Sequence, residues 1–150
     1  MRRLMVLVVA CALVGCGGSG SKHATLRQVA SVVSENGPIM RDRLAKVDRC
    51  LDLSDSCGRG DYYLIGRLQV EANDFDSGFD DVQTQAGGPP REVAPLVERT
   101  RRALAEVSKQ AGRFGTECPE LQGCYALMND LNGANSEVSR VLNAWQPFLR

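Results

Sequence analysis

From Thr25 onward the apolar residues recur in steps of three and four, the spacing of one face of an α-helix. Four such stripes can be traced. The first runs Leu26, Val29, Val33, Met40, Leu44, Val47 and Leu51, and the second Tyr62, Ile65, Leu68, Ala72, Phe75, Phe79, Val82 and Ala86. Val93, Val97, Thr100, Leu104, Val107, Ala111 and Phe114 form the third; Leu121, Cys124, Met128, Leu131, Val138, Val141, Trp145 and Leu149 form the fourth. Strand-type alternation of useful length is absent. Four amphipathic stripes with short connections predict an all-α domain, an up-and-down four-helix bundle over 25–150.

The breaks agree with this division. Asp55–Gly60 carries two glycines, Gly87-Gly88-Pro89-Pro90 follows the second stripe, and Gly115–Pro119 follows the third. Asn36-Gly37-Pro38 interrupts the first stripe, so a kink or two shorter helices is expected there, because proline lacks an N–H and disfavours helix in the residue before it. Pro95 falls in the first turn of helix three, where its missing donor is tolerated. Gly66 and Gly78 each weaken helix two by up to about 1 kcal/mol relative to Ala, so that helix should be the least regular.

The stripes are preceded by a different kind of sequence. Met1-Arg2-Arg3 is a short basic start, and Leu4 to Cys16 is uncharged. That apolar run is shorter than the roughly 20 residues a membrane-spanning helix needs, and it ends in small residues, the form of a cleaved signal peptide. Its exit, Leu13-Val14-Gly15-Cys16, resembles the lipobox of bacterial lipoproteins. The resemblance covers the leader only. It implies cleavage before Cys16, which becomes the first mature residue and carries a diacylglyceryl group and often a further N-acyl chain such as palmitate. Several acyl chains anchor stably where one binds only marginally. The membrane would be the outer membrane in a Gram-negative cell, which Gly17 after the cysteine fits, or the outer face of the cell membrane in a Gram-positive one. Residues 16–24 are then the lipidated cysteine and a Gly/Ser-rich tether, whose eight residues after Cys16 span about 15 Å as a coil. His23 falls within it and is given no role; Cys11 lies in the discarded leader.

Composition narrows the chemistry. The chain has 18 basic and 18 acidic residues. Losing Arg2 and Arg3 with the leader makes the mature chain slightly acidic, which argues against a nucleic-acid partner. One histidine makes His-dependent catalysis and a His-rich metal site improbable on composition. Cys50, Cys57, Cys118 and Cys124 remain after the lipidated cysteine, an even number that in an exported protein points to two disulfides. In an up-and-down bundle both connections carrying them lie at the end remote from the lipid. Local pairing (Cys50–Cys57, Cys118–Cys124) is preferred, and it requires both segments to leave the helix, since six or seven helical steps rise about 9–10 Å. The nested pairing, Cys50–Cys124 with Cys57–Cys118, would staple helix one to helix four, and the crossed pairing also stays open. Spacings of seven and six are too wide for the usual C-x₂₋₄-C zinc ligands.

No residues assemble into a catalytic motif. Asn73–Asp81 is acidic, but Phe75 and Phe79 hold the stripe and Gly78 and Gln85 fail the calcium-loop pattern, so a solvated face is expected. Arg41, Arg43, Lys46 and Arg49, and Arg99, Arg101, Arg102, Lys109 and Arg113, give helices one and three basic sides. These are read as solvated faces, with an anionic headgroup or acidic partner as the sharper alternative. Trp145 is expected in the core, with Phe148 and Leu149 near the membrane as the alternative to packing. Tyr62, Tyr63 and Tyr125 fall at the cysteine end, where half-buried packing is expected and exposure would suit a partner surface. The sequence therefore points to a non-catalytic, cofactor-free docking module of the cell envelope with a protein partner. The rival is a small-ligand bundle with a cavity lined by Phe75, Phe79, Met128 and Trp145; a hydrolase with paired carboxylates is a distant third.

Overall fold

A computed structural model of the chain describes residues 23–52, 59–118 and 124–149. Four helices follow one another: α1 (Leu26–Asp52), α2 (Arg59–Ala86), α3 (Ala94–Glu117) and α4 (Tyr125–Ala144), with a 3₁₀ turn at Gln146–Phe148. Each helix packs on its neighbours in sequence, and α4 closes on α1. Contacts between adjacent helices run in opposite directions along the chain: Arg43 meets Glu71, Asn73 meets Ser108, Arg99 meets Glu137, and Asp48 meets Asn135. The architecture is the up-and-down bundle that the four stripes predict.

The stripes become the core. All seven residues of the third are buried, as are Val29 to Leu51 of the first, Ile65 to Phe79 of the second and Met128 to Trp145 of the fourth. Leu26, Val82, Ala86 and Leu149 sit half-buried at the tether end of their helices. Leu121 lies outside the described residues. Rings stack through one end of this core: Phe75 on Phe79 at 5.6 Å, Phe79 on Trp145 at 6.5 Å, and Trp145 edge-on to Phe148 at 6.0 Å.

The helix ends have local causes. α1 opens on a capping box: Gln28 N–H donates to Thr25 Oγ1 at 3.2 Å, and Thr25 N–H donates back to Gln28 Oε1 at 2.8 Å. α2 ends at Gly87, whose φ of 90° is the left-handed value that favours glycine at this position. Pro95 occupies the first turn of α3. His23 and Ala24, read above as tether, are fixed to the bundle: His23 bridges Gly88, and Ala24 N–H donates to Gly88 C=O at 2.9 Å.

Three expectations are corrected. Of the two readings at Pro38, the split into two helices is overturned: α1 runs through it as one helix of 27 residues. Pro38 is exposed, and the carbonyl it leaves without a donor belongs to exposed Ser34, where water can replace the lost bond. α2 is not interrupted at Gly66 or Gly78 and is the longest helix, at 28 residues. Packing of Phe75, Phe79 and Leu68 outweighs the weak propensity. α3 does not stop at Gly115 but continues to Glu117, where Arg113 forms two hydrogen bonds to the Glu117 carboxylate one turn on.

A disulfide joins Cys118 to Cys124 with Cα atoms 5.9 Å apart. Both residues lie outside helices, as that separation demands. The bond excludes the nested and crossed pairings. Cys50, in the last turn of α1, is disulfide-bonded too; Cys57 lies outside the described residues.

Candidate functional site

The two ends of the bundle differ in chemistry. The disulfide end carries the C-terminus of α1, the start of α2, the end of α3 and the start of α4. Tyr63 and Tyr125 stand there at 67% and 69% exposure, so the expectation of half-buried packing is corrected for both. They belong to helices diagonal in the bundle, and no contact between their rings is formed. The side chain of Tyr62 lies outside the described residues. One exposed stripe continues from Tyr63 along α2 through Arg67 to Val70, beside exposed Ile39 of α1. Cys16, the position expected to carry lipid, also falls outside the described residues.

Part of each charged face is stitched across to a neighbouring helix, while Arg49, Arg102 and Lys109 stay exposed. Arg43 makes two bonds to Glu71 across α1–α2, at 2.9 and 2.7 Å, with Arg67 3.7 Å from the same carboxylate. The bond to Glu71 raises the Arg43 pKa against the cost of burial. Arg101 bridges α3 to Asp76 and Asp80 of α2, and although burial opposes its charge, the two carboxylates raise its pKa overall. Two carboxylates of the acidic stretch are therefore committed to an interhelical pair, not left on a free face. Arg99 reaches Glu137 across α3–α4, and its hydrogen bond holds the Glu137 carboxyl below the usual range; Arg140 pairs with the same carboxylate. Among the described residues no group of three or more His, Cys, Asp or Glu is placed to hold a metal.

The four residues expected to line a ligand cavity lie in the core. Phe75, Phe79, Met128 and Trp145 are all buried, and the void beside Phe79 measures about 10 Å³, at the lower limit for one water. A larger open groove of about 640 Å³ lies instead at the tether end, between the first turns of α1 and the 3₁₀ turn. A smaller one of about 180 Å³ continues it along α1–α4 past Gly37 and Leu142.

Two polar links reach into the core unforeseen from the stripes. Trp145 Nε1–H donates to Thr100 Oγ1 at 2.9 Å, and Asn135 Nδ2 donates to Asp48 Oδ1 at 2.8 Å. A polar residue inside the third stripe and the gap between Leu131 and Val138 in the fourth were the signals for them. Among the described residues, no helix is long and apolar enough to cross a membrane. Comparison with protein-family models, with curated proteins and with solved structures finds no match.

Proposed function

We propose that the chain is an exported lipoprotein, cut before Cys16 and lipidated there, whose bundle is a non-catalytic docking module for a protein of the cell envelope. The observation that carries the docking reading is the pair of exposed tyrosines, Tyr63 and Tyr125, at the end of the bundle opposite the tether. Tyrosine offers a large rigid contact area with a polar tip, and it is enriched where proteins meet. Export is supported twice over, by the leader sequence and by the Cys118–Cys124 disulfide, a bond that persists in oxidising compartments. That disulfide lies next to the start of α4, at the end of the bundle where Tyr63 and Tyr125 stand exposed.

The test is crosslinking of the lipidated protein in intact cells, with adducts identified by mass spectrometry and Cys16→Ala as the control. One discrete partner is expected, lost in the control and depleted by Tyr63→Ser or Tyr125→Ser. Neighbours captured at similar yields from all four proteins would refute the docking reading.

A further inference from the structure

The tether end carries a surface of a different kind. α4 stops at Ala144, and on the register set by Asp48–Asn135 and Arg41–Asn143 that point lies opposite Met40. The first two turns of α1 thus extend past the end of α4, and only the 3₁₀ turn crosses the gap, bringing Phe148 and Leu149 toward Leu26 and Ala30. This is the origin of the 640 Å³ groove. Its floor is apolar, and its rim carries the exposed Arg27 and the hydroxyls of Ser31 and Ser34. Among the described residues Arg27 is paired with no carboxylate, whereas Arg43, Arg99, Arg101 and Arg113 all are.

We propose that this groove seats an anionic phospholipid of the membrane, its acyl chain along Leu26, Ala30, Phe148 and Leu149 and its phosphate on Arg27. The inference rests on the lipid anchor at Cys16. The described residues begin at His23, three residues before the groove, and the seven steps from Cys16 to His23 reach at most about 25 Å. The groove is therefore confined near the headgroups. An apolar trough beside one unpaired guanidinium matches a lipid that has both a chain and a phosphate. The anchor's own diacylglyceryl group has no phosphate to occupy Arg27. Seating a lipid here would turn the disulfide end, with Tyr63 and Tyr125, away from the membrane.

Trp145 reports on the groove, because it is the chain's single tryptophan and stands edge-on to Phe148 of the groove wall at 6.0 Å. The lipidated protein is reconstituted into phosphatidylglycerol or phosphatidylcholine vesicles whose acyl chains carry bromine, a short-range quencher. Loss of Trp145 emission is expected in phosphatidylglycerol and not in phosphatidylcholine. Arg27→Glu should restore the emission, and Arg102→Glu, an equal charge change at an exposed site on α3, should not. Equal quenching in both vesicles, quenching in neither, or equal rescue by the two reversals overturns the site while leaving the anchor standing. The anchor is read separately by intact mass and by flotation with phosphatidylcholine vesicles. A chain without lipid that fails to float overturns the anchor, and this site with it.

Discussion

Thr100→Val tests the polar link at the centre of the ring stack. Thr100 Oγ1 accepts from Trp145 Nε1–H at 2.9 Å and donates to Leu96 C=O at 2.7 Å. Trp145 is 0% exposed, so no solvent can take over as acceptor. Valine keeps the branched shape and removes the oxygen. The Leu96 carbonyl stays within its helix, whereas the indole N–H is stranded in the core, at a cost of about 1–3 kcal/mol. For a domain of this size that corresponds to a fall in Tm of about 3–5 °C per kcal/mol. Thr100→Ser keeps the hydroxyl and should lose less than half as much. Urea unfolding followed by far-ultraviolet circular dichroism measures both, with an unchanged slope required for the comparison. A cycle with Trp145→Phe isolates the bond, since Phe removes the donor, and the double variant should be about 1 kcal/mol more stable than the sum of the singles implies. A Thr100→Val loss below about 0.5 kcal/mol, within the range of ordinary surface substitutions, would refute the reasoning.

Glycines in one helix should respond in opposite ways. A Cβ on Gly66 meets nothing within 4 Å, so Gly66→Ala should stabilise by about 0.5–1 kcal/mol. A Cβ on Gly78 would lie 2.8 Å from Val32 Cγ1, where α1 and α2 meet, so Gly78→Ala should destabilise by about 1–3 kcal/mol; thermal melts separate the two signs. Cys118→Ser with Cys124→Ser releases a short loop and should cost about 2 kcal/mol on the chain-entropy account. Non-reducing peptide mapping of that variant should still recover Cys50 joined to Cys57. Glu137 has its pKa lowered from 4.5, so its contribution is present above pH 4.5 and is lost as pH falls through the depressed value. Arg99→Gln should therefore flatten the stability profile in that acid range and change its shape little at neutral pH, which urea titrations at several pH values would show.

Most of the fold was readable because a helical stripe and a buried face are nearly the same information. The third stripe, Val93 to Phe114, is buried residue for residue. Propensity and structure part where packing outweighs a local helix breaker. Pro38, Gly66, Gly78 and Gly115 are weak points by propensity, yet long apolar faces carry the helices through all four. Thr25-Leu26-Arg27-Gln28 is a capping box in plain sight, and its spacing marks the start of α1. The tether-end groove was hidden for a different reason. It exists because α4 ends short of the first turns of α1, and relative helix length across a bundle depends on register, which one sequence does not display. Exposure of Tyr63 and Tyr125 was likewise undecidable from periodicity, since both sit at helix starts where a neighbour's coverage runs out.

The α1–α4 seam is held differently from the other three. Arg43–Glu71, Arg101–Asp76 and Arg99–Glu137 each clamp a pair of helices adjacent in sequence with a charged fork. The closing seam relies on Asn135 to Asp48 and Arg41 to Asn143. Asn135 is 0% exposed, and its Oδ1 has no hydrogen-bond partner among the protein atoms described. An orphaned buried acceptor costs about 1–3 kcal/mol, which offsets the gain of roughly 1 kcal/mol from the bond its amide makes. Asn135→Leu removes that liability and adds apolar contact, while Asp48 is only half-buried and can return to water. Stability should rise by about 1 kcal/mol. The lost bond is then a matter of register, because an amide that must meet Asp48 fixes how α4 slides on α1 and an apolar pair does not. Greater stability with faster hydrogen exchange along α1 and α4 would support that division of labour. A loss above 1 kcal/mol would refute it, because the amide must then be satisfied on both sides and the bond must contribute to stability as well as to alignment.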